Sequence, residues 1–128
     1  MNHRKILIVD DEAQSLSLLQ GLLLSLGWDV VTASNGREAL DTVQSTNPRV
    51  IVLDMVMPQI DGFQVARFLK RHPDYRHIPI LAATSLSSRT DRERCFAAGC
   101  DDHIAKPFTA EQLDQRLDAL LAMAPSGI

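Results

Sequence analysis

The chain alternates short apolar segments with longer amphipathic ones, and this alternation constrains its fold more than any other feature. The apolar segments have the length and composition of strands that are buried on both faces of a sheet. The pattern predicts strands at 5–9, 29–33, 50–53, 78–84 and 102–105, followed by helices at 13–27, 35–46, 62–72, 87–99 and 109–124. Five strand–helix pairs favour an α/β fold, a doubly wound parallel sheet with helices on both faces.

The composition is that of one domain with a sizeable core, because 45% of the 128 residues are hydrophobic. We assign residues 1–124 to this domain and 125–128 to a short carboxy-terminal tail. A net charge of −3 gives no electrostatic case for direct nucleic-acid binding. The apolar runs are too short to cross a bilayer and the amino terminus lacks a signal-peptide core, so we expect a cytoplasmic protein with no membrane partner. Cys95 and Cys100 are expected to be free thiols.

An aspartate follows the most apolar of the predicted strands. In RVIVLDMVMPQIDG, residues 49–62, Asp54 comes directly after the four aliphatic residues at 50–53. A carboxylate at the end of a buried strand is costly unless a partner or a function requires it. Pro58 and Gly62 then force the chain into a loop. Asp54 is therefore the first candidate for a functional residue.

Polar residues also end the other strands. Asp10 and Asp11 follow the first strand, Thr84 ends the fourth, and Lys106 follows the fifth. Ligands of open parallel sheets bind beyond the carboxyl ends of the strands, where these residues are expected to meet. The sequence therefore predicts one site at this edge of the sheet.

This set of residues is suited to a divalent cation and to phosphoryl transfer. Two carboxylates about 4 Å apart repel by about 4 kcal/mol at an effective dielectric near 20, and Mg²⁺ or Mn²⁺ would resolve the conflict. A carboxylate can also attack phosphorus, which forms an aspartyl phosphate at Asp54. The new phosphoryl group needs a cation, a hydroxyl donor and a metal. Lys106, Thr84 and an ion held by Asp10 and Asp11 would supply them.

Each of these residues also has a structural interpretation. Asp11 could cap the helix that follows it, Thr84 could be an ordinary turn hydroxyl, and Lys106 could be a solvated loop lysine. Asp54 is the hardest to explain in this way, because it follows four buried aliphatic residues. The joint occurrence of these residues at four strand ends favours the functional interpretation.

The motifs ILIVDDE, VIVLDMVMPQIDG, ILAATS and AGCDDHIAKPF resemble the receiver domain of bacterial response regulators, which has a flavodoxin-like fold. The resemblance covers essentially the whole chain and implies the strand order 2-1-3-4-5. It implies that Asp54 accepts a phosphoryl group from a sensor histidine kinase or a histidine phosphotransfer protein. Such a protein catalyses only its own phosphorylation and dephosphorylation, so no enzyme activity on other substrates is expected.

The same resemblance assigns roles to individual residues. It implies that Mg²⁺ is bound by Asp10, Asp11, Asp54 and the backbone carbonyl of Val56. Thr84 and Lys106 would contact the phosphoryl oxygens, and a cis peptide bond before Pro107 would help to aim Lys106.

The resemblance further implies a switch that links the site to a partner surface. Thr84 moves toward the phosphoryl group, an aromatic residue on strand five rotates, and the face of helix 4, strand 5 and helix 5 changes for a downstream protein target. His103 occupies the aromatic position, so we expect a weaker or pH-sensitive switch. The alternative is that His103 is only a surface residue on an edge strand.

Two further positions bear on the lifetime of the aspartyl phosphate. In the family, the residues two after the phosphoacceptor and two after the threonine flank the path of the hydrolytic water. Here they are Val56 and Leu86, whose apolar side chains cannot orient a water molecule. The sequence therefore predicts slow self-dephosphorylation.

The output of the domain stays open at this point. Arg116 stands where some DNA-binding regulators keep a dimer-forming arginine, but Gln112 replaces an acid of that set, so a monomer and a phosphorylation-linked homodimer both remain. The chain is a single-domain regulator or a receiver excised from a larger regulator or hybrid kinase. Two other classes compete: a phosphorylation-independent interaction module, and a haloacid-dehalogenase-like phosphatase, which would need an acid where Val56 stands.

Overall fold

Five strands and five helices alternate along the chain. The computed structural model describes residues 4–85 and 88–123. The strands are β1 (Lys5–Val9), β2 (Asp29–Ala33), β3 (Val50–Leu53), β4 (Ile80–Thr84) and β5 (Asp102–Ala105). The helices are α1 (Ala13–Ser25), α2 (Gly36–Thr46), α3 (Gly62–Arg71), α4 (Arg89–Ala97) and α5 (Ala110–Met123). In this part of the chain, no helix is both long and apolar enough to cross a membrane.

All strand pairs are parallel, and the sheet has the order β2-β1-β3-β4-β5. This confirms the predicted flavodoxin-like fold class and strand order. The central strand β3 is buried at every residue, as its run of β-branched and aliphatic side chains requires.

Successive strand residues point to opposite faces and build two separate cores. On one face, Leu7, Ile51 and Leu53 pack with buried residues of α2, α3 and α4. On the other face, Ile8 and Val52 pack with leucines of α1 and α5. The sheet is therefore covered on both sides, which leaves its carboxyl edge for polar residues.

The helix ends differ from the predicted ones by one or two residues, and local hydrogen bonds explain where they fall. The helix α1 stops at Ser25, because Gly27 adopts a φ of 91° that a helix cannot contain. The helix α4 starts after Ser88, which forms a capping box with Asp91. The strand β4 begins at Ile80 rather than at residue 78, because the N–H of Ile78 still donates to a turn carbonyl.

Gly62 brings the first turn of α3 against the segment that carries Asp54. Its N–H donates to the carbonyl of Met55 at 3.1 Å. A Cβ at this position would lie 2.5 Å from the carbonyl oxygen of Asp54 and 2.6 Å from the Cα of Met55. Both are backbone atoms, so the neighbours cannot move aside cheaply. The loop predicted after Asp54 therefore depends on a glycine for this close approach.

We predict that Gly62→Ala lowers the free energy of unfolding by about 1–3 kcal/mol, because the added methyl group overlaps backbone. The matched control is Gly21→Ala in α1, where a Cβ meets no atom within 4 Å. That variant should gain about 0.5–1 kcal/mol from helix propensity alone. Urea denaturation of both variants measures the difference, and a stabilised Gly62→Ala protein would contradict the proposed backbone contact.

Candidate functional site

Three aspartates meet at the carboxyl edge of the sheet. The register pairs Val9 of β1 with Leu53 of β3, so Asp10 and Asp54 follow neighbouring strands side by side. The N–H of Asp54 donates to the carbonyl of Val9 at 2.9 Å and holds the two strand ends together. Carboxylate oxygens of Asp10, Asp11 and Asp54 all lie within 4.8 Å of one another. The structure thus brings together the three carboxylates that the sequence analysis singled out.

The two consecutive aspartates have different environments. Asp10 is buried, and its Oδ1 accepts a hydrogen bond from the N–H of Glu12 at 2.9 Å. Asp11 is exposed. The residue at the N-cap of α1 is Glu12, and it makes no side-chain capping bond. The interpretation of Asp11 as a helix cap is therefore wrong, which leaves its carboxylate available to the cluster.

Asp54 is buried and its pKa is raised to about 6 from an ordinary value of 3.8. Burial is the main cause, because it disfavours the charged carboxylate. The N–H of Val56, which donates to Oδ1 at 3.2 Å, and the ammonium of Lys106 oppose this shift of the pKa. The charges of Asp10 and Asp11 add to it. A further cation near Asp54 would therefore stabilise its charged carboxylate.

Lys106 reaches across the edge from the segment after β5. Its Nζ donates to Oδ2 of Asp10 at 2.8 Å and lies 3.8 Å from Oδ2 of Asp54. Its N–H donates to the carbonyl of Thr84 at 3.0 Å. The resemblance implies a cis bond before Pro107, and the Lys106–Pro107 peptide bond is cis. The interpretation of Lys106 as a solvated loop residue is therefore wrong.

Thr84 is the last residue of β4 and is fully buried at the same edge. Leu53 pairs with Ala82, so Thr84 stands one position beyond Asp54 on the adjacent strand. Val56 lies next to this edge with half of its surface exposed, whereas Leu86 falls outside the described residues.

The donor set fits a hard divalent cation. Three carboxylates converge, and Lys106 supplies the one ammonium group paired with them among the described residues. Mg²⁺ and Mn²⁺ prefer carboxylate, carbonyl and water oxygens, and they are usually bound through one or two carboxylates. Asp10, Asp11 and Asp54 can therefore hold such an ion without any apolar or sulfur ligand.

An apolar groove of about 530 Å³ opens beside the carboxylates. Its lining joins apolar residues of α1 and of the segment after β5 to polar residues of the site: Leu18, Leu19, Leu22, Pro107 and Phe108 with Asp10, Ser15, Ser85 and Lys106. Leu18 is 76% exposed. This groove was not predicted from the sequence. The signal that could have revealed it is Leu18, one of several leucines in the helix predicted at 13–27.

His103 lies on β5 and is only 8% exposed. The alternative that it is a surface residue is therefore wrong. The guanidinium of Arg116 in α5 donates to the carbonyl of His103 at 2.9 Å and to Oδ1 of Asp102 at 3.0 Å. Arg116 is thus bound within its own chain.

The chain is similar to known proteins in both sequence and structure. Residues 6–118 match the family model of the response regulator receiver domain. The probable transcriptional regulator ycf27 of Cyanophora paradoxa is 40% identical over 121 residues, which cover 94% of this chain and 49% of that protein. This chain therefore spans about half the length of the curated relatives of this type.

Solved structures agree with the family match. The chemotaxis protein CheY4 of Vibrio cholerae has a TM-score of 0.88 at 31% identity, covering 93% of this chain and 99% of that one. The receiver domain of the sensor histidine kinase PA1611 from Pseudomonas aeruginosa, with a magnesium ion in its active-site cleft, has a TM-score of 0.87 at 29% identity and covers 94% and 99% of the two chains. By sequence and by fold, this chain belongs to the response regulator receiver domain family of two-component signalling.

Proposed function

We propose that Asp54 is the phosphoacceptor of this receiver and that its donor is the phosphohistidine of a histidine kinase or histidine phosphotransfer protein. The observation that supports this proposal is the convergence of Asp10, Asp11 and Lys106 on the Asp54 carboxylate at the carboxyl edge of the sheet. No other carboxylate cluster of this kind occurs among residues 4–85 and 88–123.

Asp54, Lys106 and Thr84 have different roles in the transfer of the phosphoryl group. A carboxylate oxygen of Asp54 attacks phosphorus, a P–O bond forms, and the P–N bond to the donor imidazole breaks. The Nζ of Lys106 lies 3.8 Å from Oδ2 of Asp54. It can therefore pair with the oxygens of a phosphoryl group that arrives at Asp54. The hydroxyl of Thr84 donates a further hydrogen bond to these oxygens. The catalytic chemistry is confined to the protein's own phosphorylation and dephosphorylation.

The metal belongs to the same proposal. Asp10, Asp11, Asp54 and the backbone carbonyl of Val56 would hold Mg²⁺ or Mn²⁺, and the magnesium ion in the cleft of the PA1611 receiver supports this assignment. When bound, the ion neutralises negative charge on the phosphoryl oxygens. The role of Asp10 and Asp11 is to hold this positive charge beside Asp54 at the edge of the sheet.

Phosphorylation adds about 1.5 to 2 negative charges beside Thr84 and draws its hydroxyl toward the phosphoryl group. Through Thr84 and His103, this change reaches the face of α4, β5 and α5, which we assign to a downstream protein target. The imidazole of His103 is packed inside the fold, so its movement requires a change in this packing. Our prediction for His103 remains a response that is weaker than that of a tyrosine or phenylalanine, or one that depends on pH.

The groove beside the carboxylates is where a protein donor docks in this proposal. It borders Asp10 and Lys106 directly, and its apolar wall includes the exposed Leu18. A donor that buries Leu18 brings its phosphohistidine to the edge where Asp54 lies.

We predict that acetyl phosphate with Mg²⁺ adds one phosphoryl group to the wild-type protein and none to Asp54→Asn, since the amide is not a nucleophile for this reaction. Intact-mass spectrometry measures the addition, and Asp29→Asn, at the opposite edge of the sheet, is the control that should react normally. Decay of the product tests the slow dephosphorylation expected from Val56 and Leu86. Turnover without accumulation would indicate a phosphatase, and an unreactive wild-type protein would indicate a binding module.

We predict a pH-dependent stability gain for Asp54→Asn in metal-free buffer. The folded-state pKa of Asp54 lies near 6, above the ordinary 3.8, so the folded protein binds more protons than the unfolded chain between these values. The stability of the wild-type protein therefore falls as pH rises from about 4 to 6. The variant should be about 1–3 kcal/mol more stable above pH 7, and the two proteins should become equal in stability only below about pH 3. Urea denaturation with a chelator present measures both, and a gain that does not vary with pH would contradict the assignment.

We predict that Leu18→Asp slows phosphoryl transfer from a phosphorylated histidine phosphotransfer protein by about tenfold or more, because a carboxylate is buried against apolar groups in the complex. The rate with acetyl phosphate should not change. Leu24→Asp is the matched control, since Leu24 is an exposed leucine of the same helix outside the groove. Equal rates for the two variants with the protein donor would exclude docking at this groove.

A further inference from the structure

The outward face of α3 carries arginines and aromatic rings that the phosphoryl site does not use. Arg67 and Arg71 are exposed and one helical turn apart, and Phe68 lies between them with 43% of its surface exposed. The other apolar side chains of this helix, those of Phe63, Val65, Ala66 and Leu69, are buried.

A third arginine joins this face from the neighbouring helix. The guanidinium of Arg94 in α4 lies over the ring of Phe63 at 4.2 Å from its centroid. This contact places Arg94 at the border between α3 and α4, against a residue one helical turn before Arg67. Arg94 is itself exposed.

These three arginines have no carboxylate partner within 4.0 Å in the part of the chain that the structure describes. Some other cations of these helices and of α2 do have carboxylate partners. Lys70 donates to Asp101 at 2.9 Å, and Arg37 and Arg89 pair with the acids one turn ahead of them. Arg4, Arg49, Arg76 and Arg92 also lack a carboxylate partner within 4.0 Å among the described residues. What distinguishes α3 is that Arg67 and Arg71 lie one helical turn apart beside the exposed ring of Phe68.

Aromatic rings extend the face beyond the last turn of α3. The ring of Phe68 lies 5.9 Å from that of His72, which lies 4.5 Å from that of Tyr75. One acid, Asp74, lies 3.9 Å from His72. We refer to Arg67, Phe68, Arg71, Arg94, His72 and Tyr75 as the α3 ridge.

The segment 67–77, which carries all of the ridge except Arg94, has the opposite charge from the rest of the chain. Residues 67–77 hold four of the 13 lysines and arginines but one of the 16 acids, in a chain of net charge −3. A negatively charged partner is attracted to the ridge and repelled by the acidic edge of the sheet, which orients its approach.

We propose that the α3 ridge binds an acidic helical segment of a protein partner, at a surface separate from the phosphoryl site. Guanidinium groups pair with carboxylates in bidentate fashion, and arginine and tyrosine dominate the energetics of protein interfaces. A helix of ten residues is about 15 Å long, which matches three turns of a partner helix. A nucleic acid is the less favoured partner, because a long polyanion would also meet the negative remainder of the chain.

The test uses the full chain and a fluorescein-labelled helical peptide of about 20 residues, with glutamates on one face and leucines on the other. We expect Arg67→Glu/Arg71→Glu to weaken its binding at least about tenfold in fluorescence anisotropy. The matched control is Arg37→Glu/Arg89→Glu, which makes the same change of net charge at exposed arginines outside the ridge and should weaken binding less than about twofold. Phe68→Ala should weaken binding without any change of charge.

Other readouts keep the result interpretable. All variants should accept a phosphoryl group from acetyl phosphate as the wild-type protein does, so failure here is distinct from failure of the phosphoacceptor assignment. Arg67→Lys/Arg71→Lys should bind more weakly than wild type but more tightly than the glutamate variant. The proposal is overturned if the peptide does not bind, if the two double glutamate variants lose binding equally, or if a single-stranded DNA oligonucleotide of equal charge binds the ridge more tightly.

Discussion

The site depends on an imbalance of charge at the carboxyl edge of the sheet. Three carboxylates lie within 4.8 Å of one another, while Lys106 contacts Asp10 directly and Asp54 only at 3.8 Å. Burial is the largest cause of the raised pKa of Asp54, and the negative charges of Asp10 and Asp11 raise it further. Such an edge favours a species that adds positive charge, and a hard divalent cation meets that requirement.

Backbone contacts hold the residues of this edge in place. The parallel register sets Asp10 beside Asp54, and the close approach of Gly62 to the Asp54–Met55 backbone secures the segment that follows. The peptide N–H of Val56 points at the Asp54 carboxylate as a result. The carboxylate is thus oriented by main-chain atoms, which leave its other oxygen accessible to Lys106 and to a ligand.

The molecule presents three surfaces of different character around one sheet. The apolar groove on α1 adjoins the carboxylates, the face of α4, β5 and α5 carries the Arg116–Asp102 pair, and the α3 ridge carries unpaired arginines. The groove and the α3 ridge have no element in common, whereas α4 contributes Arg94 to the ridge and also belongs to the face of α4, β5 and α5.

The sequence by itself determined the fold class, the core and the carboxylate site from local patterns, and the strand order from the resemblance of its motifs to receiver domains. Runs such as VIVL at 50–53 are buried on both faces only in a covered parallel sheet, and that topology forces Asp10, Asp54, Thr84 and Lys106 to one edge. Only the tertiary structure decided which groups touch. That Lys106 bonds Asp10 more closely than Asp54, that Asp11 is not a helix cap, and that His103 is buried all depend on packing between distant segments. The sequence shows individual leucines and arginines, but only the packing of neighbouring elements decides that some of them form the groove and the α3 ridge.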